Sequence, residues 1–71
     1  MIRLKVKEIA ASKGISQAKL SRIADVDIKT MQKIFRYPYS VVTTETLNRI
    51  AHALNCSVLD LIEDVPDDKE K

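Results

Sequence analysis

Lys29, Lys33 and Arg36 fall at i, i+4 and i+7 within the stretch DVDIKTMQKIFRYPY, residues 25–39, so a helix there carries three cations on one side. Val26, Met31, Ile34 and Phe35, side chains suited to a core, are interleaved with them, and Tyr37 and Tyr39 then flank Pro38. Such a face is equipped to donate hydrogen bonds to the oxygens of a polyanion; the alternative is an ordinary solvated surface. The charge distribution suggests a polyanion-binding surface, with chance clustering on an ordinary surface as the alternative. Residues 1–36 hold nine Lys/Arg against Glu8, Asp25 and Asp27, a balance of +6, whereas residues 37–71 hold three Lys/Arg against seven acids, a balance of −4. Other chemistries lack the residues they need. There is no nucleophile–base pair, glycine-rich phosphate loop or paired-acid arrangement, so no catalysis and no cofactor are expected. His52 has no second histidine, cysteine or carboxylate cluster to complete a metal site. Cys56, the one cysteine, is expected to pack at a helix corner rather than to act as a redox switch.

The elements that position these residues follow from length and pattern. A chain of 71 residues makes one small domain, burying only about 60% of its unfolded surface. One glycine, two prolines and few aromatics point to helices. No apolar run approaches the roughly 18 residues of a membrane span, no signal-peptide h-region is visible, and a single cysteine suits a reducing compartment. A cytoplasmic protein is expected.

Five helices are predicted. Residues 3–13 form the first, with Val6, Ile9 and Ala10 inward and Gly14 as its stop. Ser16 caps the second, 17–24, which turns Leu20 and Ala24 inward. After the break at DVD, Asp27 caps the third, 28–36, with Met31, Ile34 and Phe35 on its inner face and Pro38 forbidding continuation. Thr43 caps the fourth, where Leu47, Ile50, Ala51 and Leu54 repeat as i, i+3, i+4, i+7, and Asn55 ends it in the left-handed conformation. Ser57-x-x-Asp60 starts the fifth, with Val58, Leu61 and Ile62 inward. Residues 1–64 then form the domain and 65–71 an acidic, fraying tail. The fold class expected is an all-α bundle of five helices.

Between Gln17 and Arg36, the small or apolar residues Leu20, Ser21, Ala24, Val26, Met31 and Ile34 have the spacing of two helices crossing at about 90–120° through a short turn. Here the chain resembles the helix-turn-helix of the Cro and lambda-repressor type, the xenobiotic-response-element-like regulators. The likeness extends over most of the chain: KGISQAKLS resembles that family's junction of helices 1 and 2, and TLNRIAHALNCSVLDLIE its helix 4–helix 5 signature.

The resemblance implies that the helix 28–36 enters the DNA major groove. Its outward residues Ile28, Lys29, Gln32 and Lys33 are then candidates for reading bases: lysines at guanine O6 and N7, Gln32 at an adenine edge, Ile28 at a thymine methyl. Ser16, Gln17, Arg36, Tyr37 and Tyr39 are candidates for phosphate contacts, with the dipole end of the second helix assisting at Ser16–Gln17. Alternatives stay open: Ile28 in the core, Gln17 as a first-turn residue, the tyrosines covering the edge of the fourth helix. Asp27 is read as a cap, a role contributing ~1 kcal/mol, rather than as an acceptor from cytosine.

Two departures from the family pattern stand out. The turn usually has glycine at a left-handed position, and here it is Asp25, which tolerates that conformation better than most residues. Many relatives pair a helix-1 arginine with a late recognition-helix glutamate; the matching positions here are Ala10 and Phe35, an apolar contact in place of an ion pair. Helix-turn-helix proteins usually bind as two-fold dimers with recognition helices about 34 Å apart. The candidates for a weak dimer surface, formed mainly on DNA, are Leu59, Val41 and Val42. The function implied is a sequence-specific double-stranded-DNA-binding regulator, a repressor, acting in a prokaryotic or phage setting on nucleoid DNA. The alternative is a protein-interaction module, such as an antitoxin or anti-repressor adaptor, on the same scaffold.

Overall fold

Four side chains decide where helices begin. Ser16 accepts from Lys19 N–H, Asp27 from Lys29 N–H, Thr43 from Thr46 N–H and Ser57 from Leu59 N–H. Each satisfies a donor that a helix start would otherwise leave unpaired, a contribution of roughly 1 kcal/mol apiece. In the computed structural model, which describes residues 1–66, the chain runs β1 (Ile2–Leu4), α1 (Val6–Ser12), α2 (Gln17–Ala24), α3 (Ile28–Arg36), α4 (Thr44–Ala53), a 3-10 turn at Val58–Leu61, and β2 (Ile62–Asp64). Of the acidic tail expected at 65–71, residues 67–71 lie outside the described residues. Val65 extends the end of β2 by donating to the Met1 carbonyl at 2.8 Å.

The five-helix expectation is corrected here. Among the described residues there are four α-helices, and the element predicted as the fifth is a single 3-10 turn followed by a strand. The start signal was sound, because Ser57 and Asp60 form a reciprocal capping box. Beyond Leu61 the chain is diverted by pairing: β2 runs antiparallel to β1, with Ile2 opposite Asp64, Arg3 opposite Glu63 and Leu4 opposite Ile62. For the same reason the first helix starts at Val6 rather than residue 3, since Lys5 N–H bonds the Leu61 carbonyl at 2.7 Å and Leu4 N–H bonds that of Pro38 at 2.7 Å. Tertiary hydrogen bonds override local helix propensity at both ends of the chain. Cross-strand Arg3 and Glu63 pair at 3.0 Å, and Arg3 also holds Glu8 of α1. Burial alone would raise the Glu8 carboxyl, but its own backbone N–H, Arg3 and nearby Lys7 outweigh this and hold it below its usual range.

The core draws buried residues from β1, the four α-helices and the 3-10 turn. Val6, Ala10, Leu20, Met31, Ile50 and Leu61 are fully buried, and Leu4, Ala24, Val26, Ile34, Leu47, Ala51 and Leu54 belong to the same cluster. Ile9, Phe35, Val58 and Ile62, expected inward, are only half-buried but pack against that cluster.

Among the described residues, Gly14 (φ 66°), Asp25 (φ 58°) and Asn55 (φ 56°) have left-handed backbone. Asp25 and Asn55 occupy the positions the sequence reserved for that conformation. An L-residue there is disfavoured by roughly 1–2 kcal/mol, less for Asp, while glycine costs about 0.5–1 kcal/mol of backbone entropy. Asp25→Gly is therefore expected to leave the melting temperature unchanged or raise it, by no more than about 4–8 °C. A thermal melt followed by circular dichroism checks this, and a clear drop would count against strain at residue 25.

Candidate nucleic-acid interface

The orientation of α3 is set at the turn before it. Ser21, buried beneath the crossing, donates through Oγ to the Val26 carbonyl at 2.5 Å, and Val26 N–H donates to the Ser21 carbonyl at 3.0 Å. A larger side chain at 21 would collide with α3 and forfeit this clasp. Arg49 of α4 donates to the Asp25 carbonyl at 3.1 Å and pairs with Glu45 at 3.0 Å, tying the turn to the fourth helix. Met31 and Ile34 then bury the inner face of α3. At its far end Ser40 closes the exit turn, donating to the Tyr37 carbonyl through N–H (3.0 Å) and Oγ (2.6 Å).

With the inner face fixed, Ile28, Lys29, Gln32, Lys33 and Arg36 are exposed. An open concavity beside α3 is lined by Lys7, Gln17, Lys29, Gln32, Lys33, Phe35, Arg36 and Tyr37. No carboxylate is among these residues. None of the four cations forms a salt bridge among the described residues, where the pairs are Met1–Asp64, Arg3–Glu8, Arg3–Glu63 and Arg49–Glu45. Lys7 lies near Glu8 of the adjoining concavity, but Lys29, Lys33 and Arg36 have no acid beside them in this lining, and the four together leave a field that an external anion can neutralise.

The expected site residues divide accordingly. Gln17, Lys29, Gln32, Lys33, Arg36 and Tyr37 share the concavity. Ile28 is 38% exposed at the first turn of α3 but does not line it. The Ser16 hydroxyl is engaged as the cap of α2. Tyr39 is separated from Tyr37: it lines a second, mainly apolar hollow with Met1, Ile2, Leu4, Val41 and Val42. Of the residues proposed for a dimer surface, Leu59 (76%) and Val41 (92%) are strongly exposed, whereas Val42 is half-buried against the core. Leu59 does not line the hollow that holds Val41 and Val42.

Sequence reasoning missed Lys7. Its place beside Val6 and three residues before Ala10 puts it outside the core, but only the packing of α1 against α3 shows that it joins the α3 face. His52 lies on the far concavity between α2 and α4, with Ile23, Asn48 and Arg49. Burial, with Asp60 adding to it, pushes the Cys56 thiol above its usual range, which disfavours the reactive thiolate. Among the described residues no group of three or more His, Cys, Asp or Glu converges on a common point. No helix there is long and apolar enough to cross a membrane.

A helix pair closed by the Ser21–Val26 clasp, presenting an acid-free cationic face on its second member, defines a helix-turn-helix DNA-binding domain. The family model for the Cro/C1-type HTH DNA-binding domain matches residues 5–67, and the chain belongs to that family. No curated protein matches it closely enough to narrow this further.

Proposed function

We propose that the protein is a sequence-specific double-stranded-DNA-binding transcriptional repressor that inserts α3 into the major groove of an operator. The observation that carries this is the concavity along α3, which no carboxylate lines, with Lys29, Lys33, Arg36 and Lys7 around Gln17, Gln32 and Tyr37 and in no salt bridge among the described residues. Lys29, Gln32 and Lys33 present donors suited to base edges, and Ile28 an apolar contact for a thymine methyl. Arg36, Tyr37 and Gln17 bond phosphates on either side, with the start of α2 at Ser16 aiding the Gln17 contact. Tyr39 serves the phosphate backbone only if DNA reaches beyond the concavity toward the second hollow. The protein works in the cytoplasm on nucleoid or phage DNA, as a weak homodimer completed on a near-palindromic site.

Selection of bound sequences from a random duplex pool tests the function, giving specificity and half-site spacing together. A preference of at least ~10³ over random DNA is expected. Replacing Lys29 or Lys33 by alanine should then relax the preference at one base position, by about 1–3 kcal/mol, wherever the lysine reads a base. Where it touches only phosphate, the loss is uniform across sequences. A flat, sequence-independent response from the wild-type protein would sink the repressor assignment.

A second reading is favoured by one observation. The hollow lined by Met1, Ile2, Tyr39, Val41 and Val42 is apolar, and Leu59 stands out elsewhere on the surface. An antitoxin or anti-repressor adaptor would use such surfaces for a protein partner. The same selection separates the two, since an adaptor without DNA-reading activity enriches no sequence.

A further inference from the structure

We infer that Lys7 of α1 is a DNA-contact residue, forming with Arg36, Tyr37 and Gln17 a seat for a single phosphodiester group beside the bases read by α3. The inference presupposes the DNA-binding function proposed above and adds to it a contact from outside the helix-turn-helix.

Lys7 lies on the first turn of α1, exposed beside buried Val6. It borders two adjoining concavities, the cationic one along α3 and a smaller one reaching Arg3 and Glu8, and Phe35 and Arg36 border both with it. The carboxylate in the smaller concavity, Glu8, is held by Arg3. Phe35, which borders both concavities and packs against the core, carries no charge, so the nearby carboxylate is Glu8, on the side away from the cationic concavity. The lysine stem can rest along the Phe35 ring while its ammonium stays at the rim. The same concavity is lined by a cation and a phenol from the end of α3, and by a carboxamide from the start of α2. Donors from three separate elements therefore converge on one acid-free space. An ammonium, a guanidinium, a hydroxyl and an amide suit a tetrahedral monoanion with two exposed oxygens. The duplex backbone supplies such groups at regular intervals on each side of a recognition helix. Two charges of the same sign at one rim repel each other in the unbound protein, so an anion seated between them relieves that repulsion as well as pairing with both.

The test compares Lys7→Gln, which removes the charge, with Lys7→Arg, which keeps it, and with Lys13→Gln, an exposed cation that does not line the concavity. Binding to the selected operator and to random duplex is measured from about 50 to 200 mM salt. For Lys7→Gln the slope of log K against log salt should fall by about 0.9 per bound protomer. The wild-type advantage should then shrink by about 3–4-fold per bound protomer over that range, about 12-fold for a dimer. The loss should be equal on operator and random DNA, because a phosphate contact carries no sequence information. Lys7→Arg should restore the slope, and Lys13→Gln should leave it unchanged. If wild type binds its operator and Lys7→Gln keeps the full slope, Lys7 makes no phosphate contact and the seat is overturned while the DNA-binding function stands. If the wild-type protein fails to bind any duplex, the function proposed above falls and the seat with it. Equal melting temperatures for the three variants confirm that the comparison reads binding rather than folding.

Discussion

Raising salt from about 50 to 200 mM is expected to weaken operator binding by ~10³–10⁵, the largest effect that any mild change of conditions should produce in this protein. The magnitude follows from counting charges rather than contacts. The α3 concavity is lined by Lys7, Lys29, Lys33 and Arg36, so the proposed dimer would bring about eight cations to the duplex, within the 6–10 contacts for which that loss applies. In the proposed complex Gln17 and Tyr37 would hold phosphates in register but neutralise nothing, so they would add geometry without adding slope. Lysines that read guanine edges instead of phosphates lower the slope below the full count, and the measured value therefore reports how the four cations are divided. A slope near −7 in log K against log salt would mean that nearly all of them meet phosphates. One shallower than about −2 would leave at most two phosphate contacts and reject the dimeric complex with an occupied concavity. Titration of labelled operator at four or five salt concentrations, with the anion held constant, is sufficient.

The parts of this arrangement legible from sequence are those fixed by local chemistry. The caps at Ser16, Asp27 and Thr43 use side chains that reach their own helix start, and the left-handed Asp25 and Asn55 lie where a helix pattern stops. The spacing of Leu20, Ser21, Ala24, Met31 and Ile34 likewise follows from the helical period, and all five are buried. The failures share another cause. The strand Ile2–Leu4 is three residues long, and its partner lies some sixty residues away in the chain. So short an alternation is invisible against a helical pattern that begins two residues later, and pairing at such separation leaves no local mark. The 3-10 turn has the start signal of a full helix, because the capping box is local, whereas its early end is imposed by pairing with β1. Lys7 escaped notice for the same reason. Its membership of the α3 face depends on how α1 lies across α3, a tertiary fact, whereas Lys29 and Lys33 belong to that face by period alone. The separation of Tyr37 from Tyr39 is also tertiary, with the Pro38 carbonyl between them taken by Leu4 of β1.

Leu20→Ala and Leu59→Ala should differ sharply although they delete the same atoms. Leu20, at the centre of α2, is 0% exposed, whereas Leu59, on the 3-10 turn, is 76% exposed. Truncating the first removes buried methyl groups from a packed interior and leaves a cavity, at a cost of about 2–5 kcal/mol. Domains of this size sit toward the low end of the general 5–15 kcal/mol range, so the loss takes a large fraction of the total. A fall in melting temperature on the order of 10–30 °C results. Leu59→Ala should stay within about 0.5 kcal/mol of wild type. Urea unfolding of both variants at low protein concentration makes the comparison, and a smaller cost at Leu20 than at Leu59 would overturn the core assignment. Leu20 also adjoins Ser21, whose hydroxyl holds the turn before α3. A cavity there should loosen the crossing of the two helices, so operator affinity should drop even well below the unfolding temperature, and should drop more than affinity for random duplex. Leu59 carries a separate signal. If Leu59→Ala destabilises the protein only at high concentration, the residue is buried between protomers. If it has no effect at any concentration in the absence of DNA but reduces cooperative binding to paired half-sites, the dimer forms on the operator and Leu59 belongs to its contact.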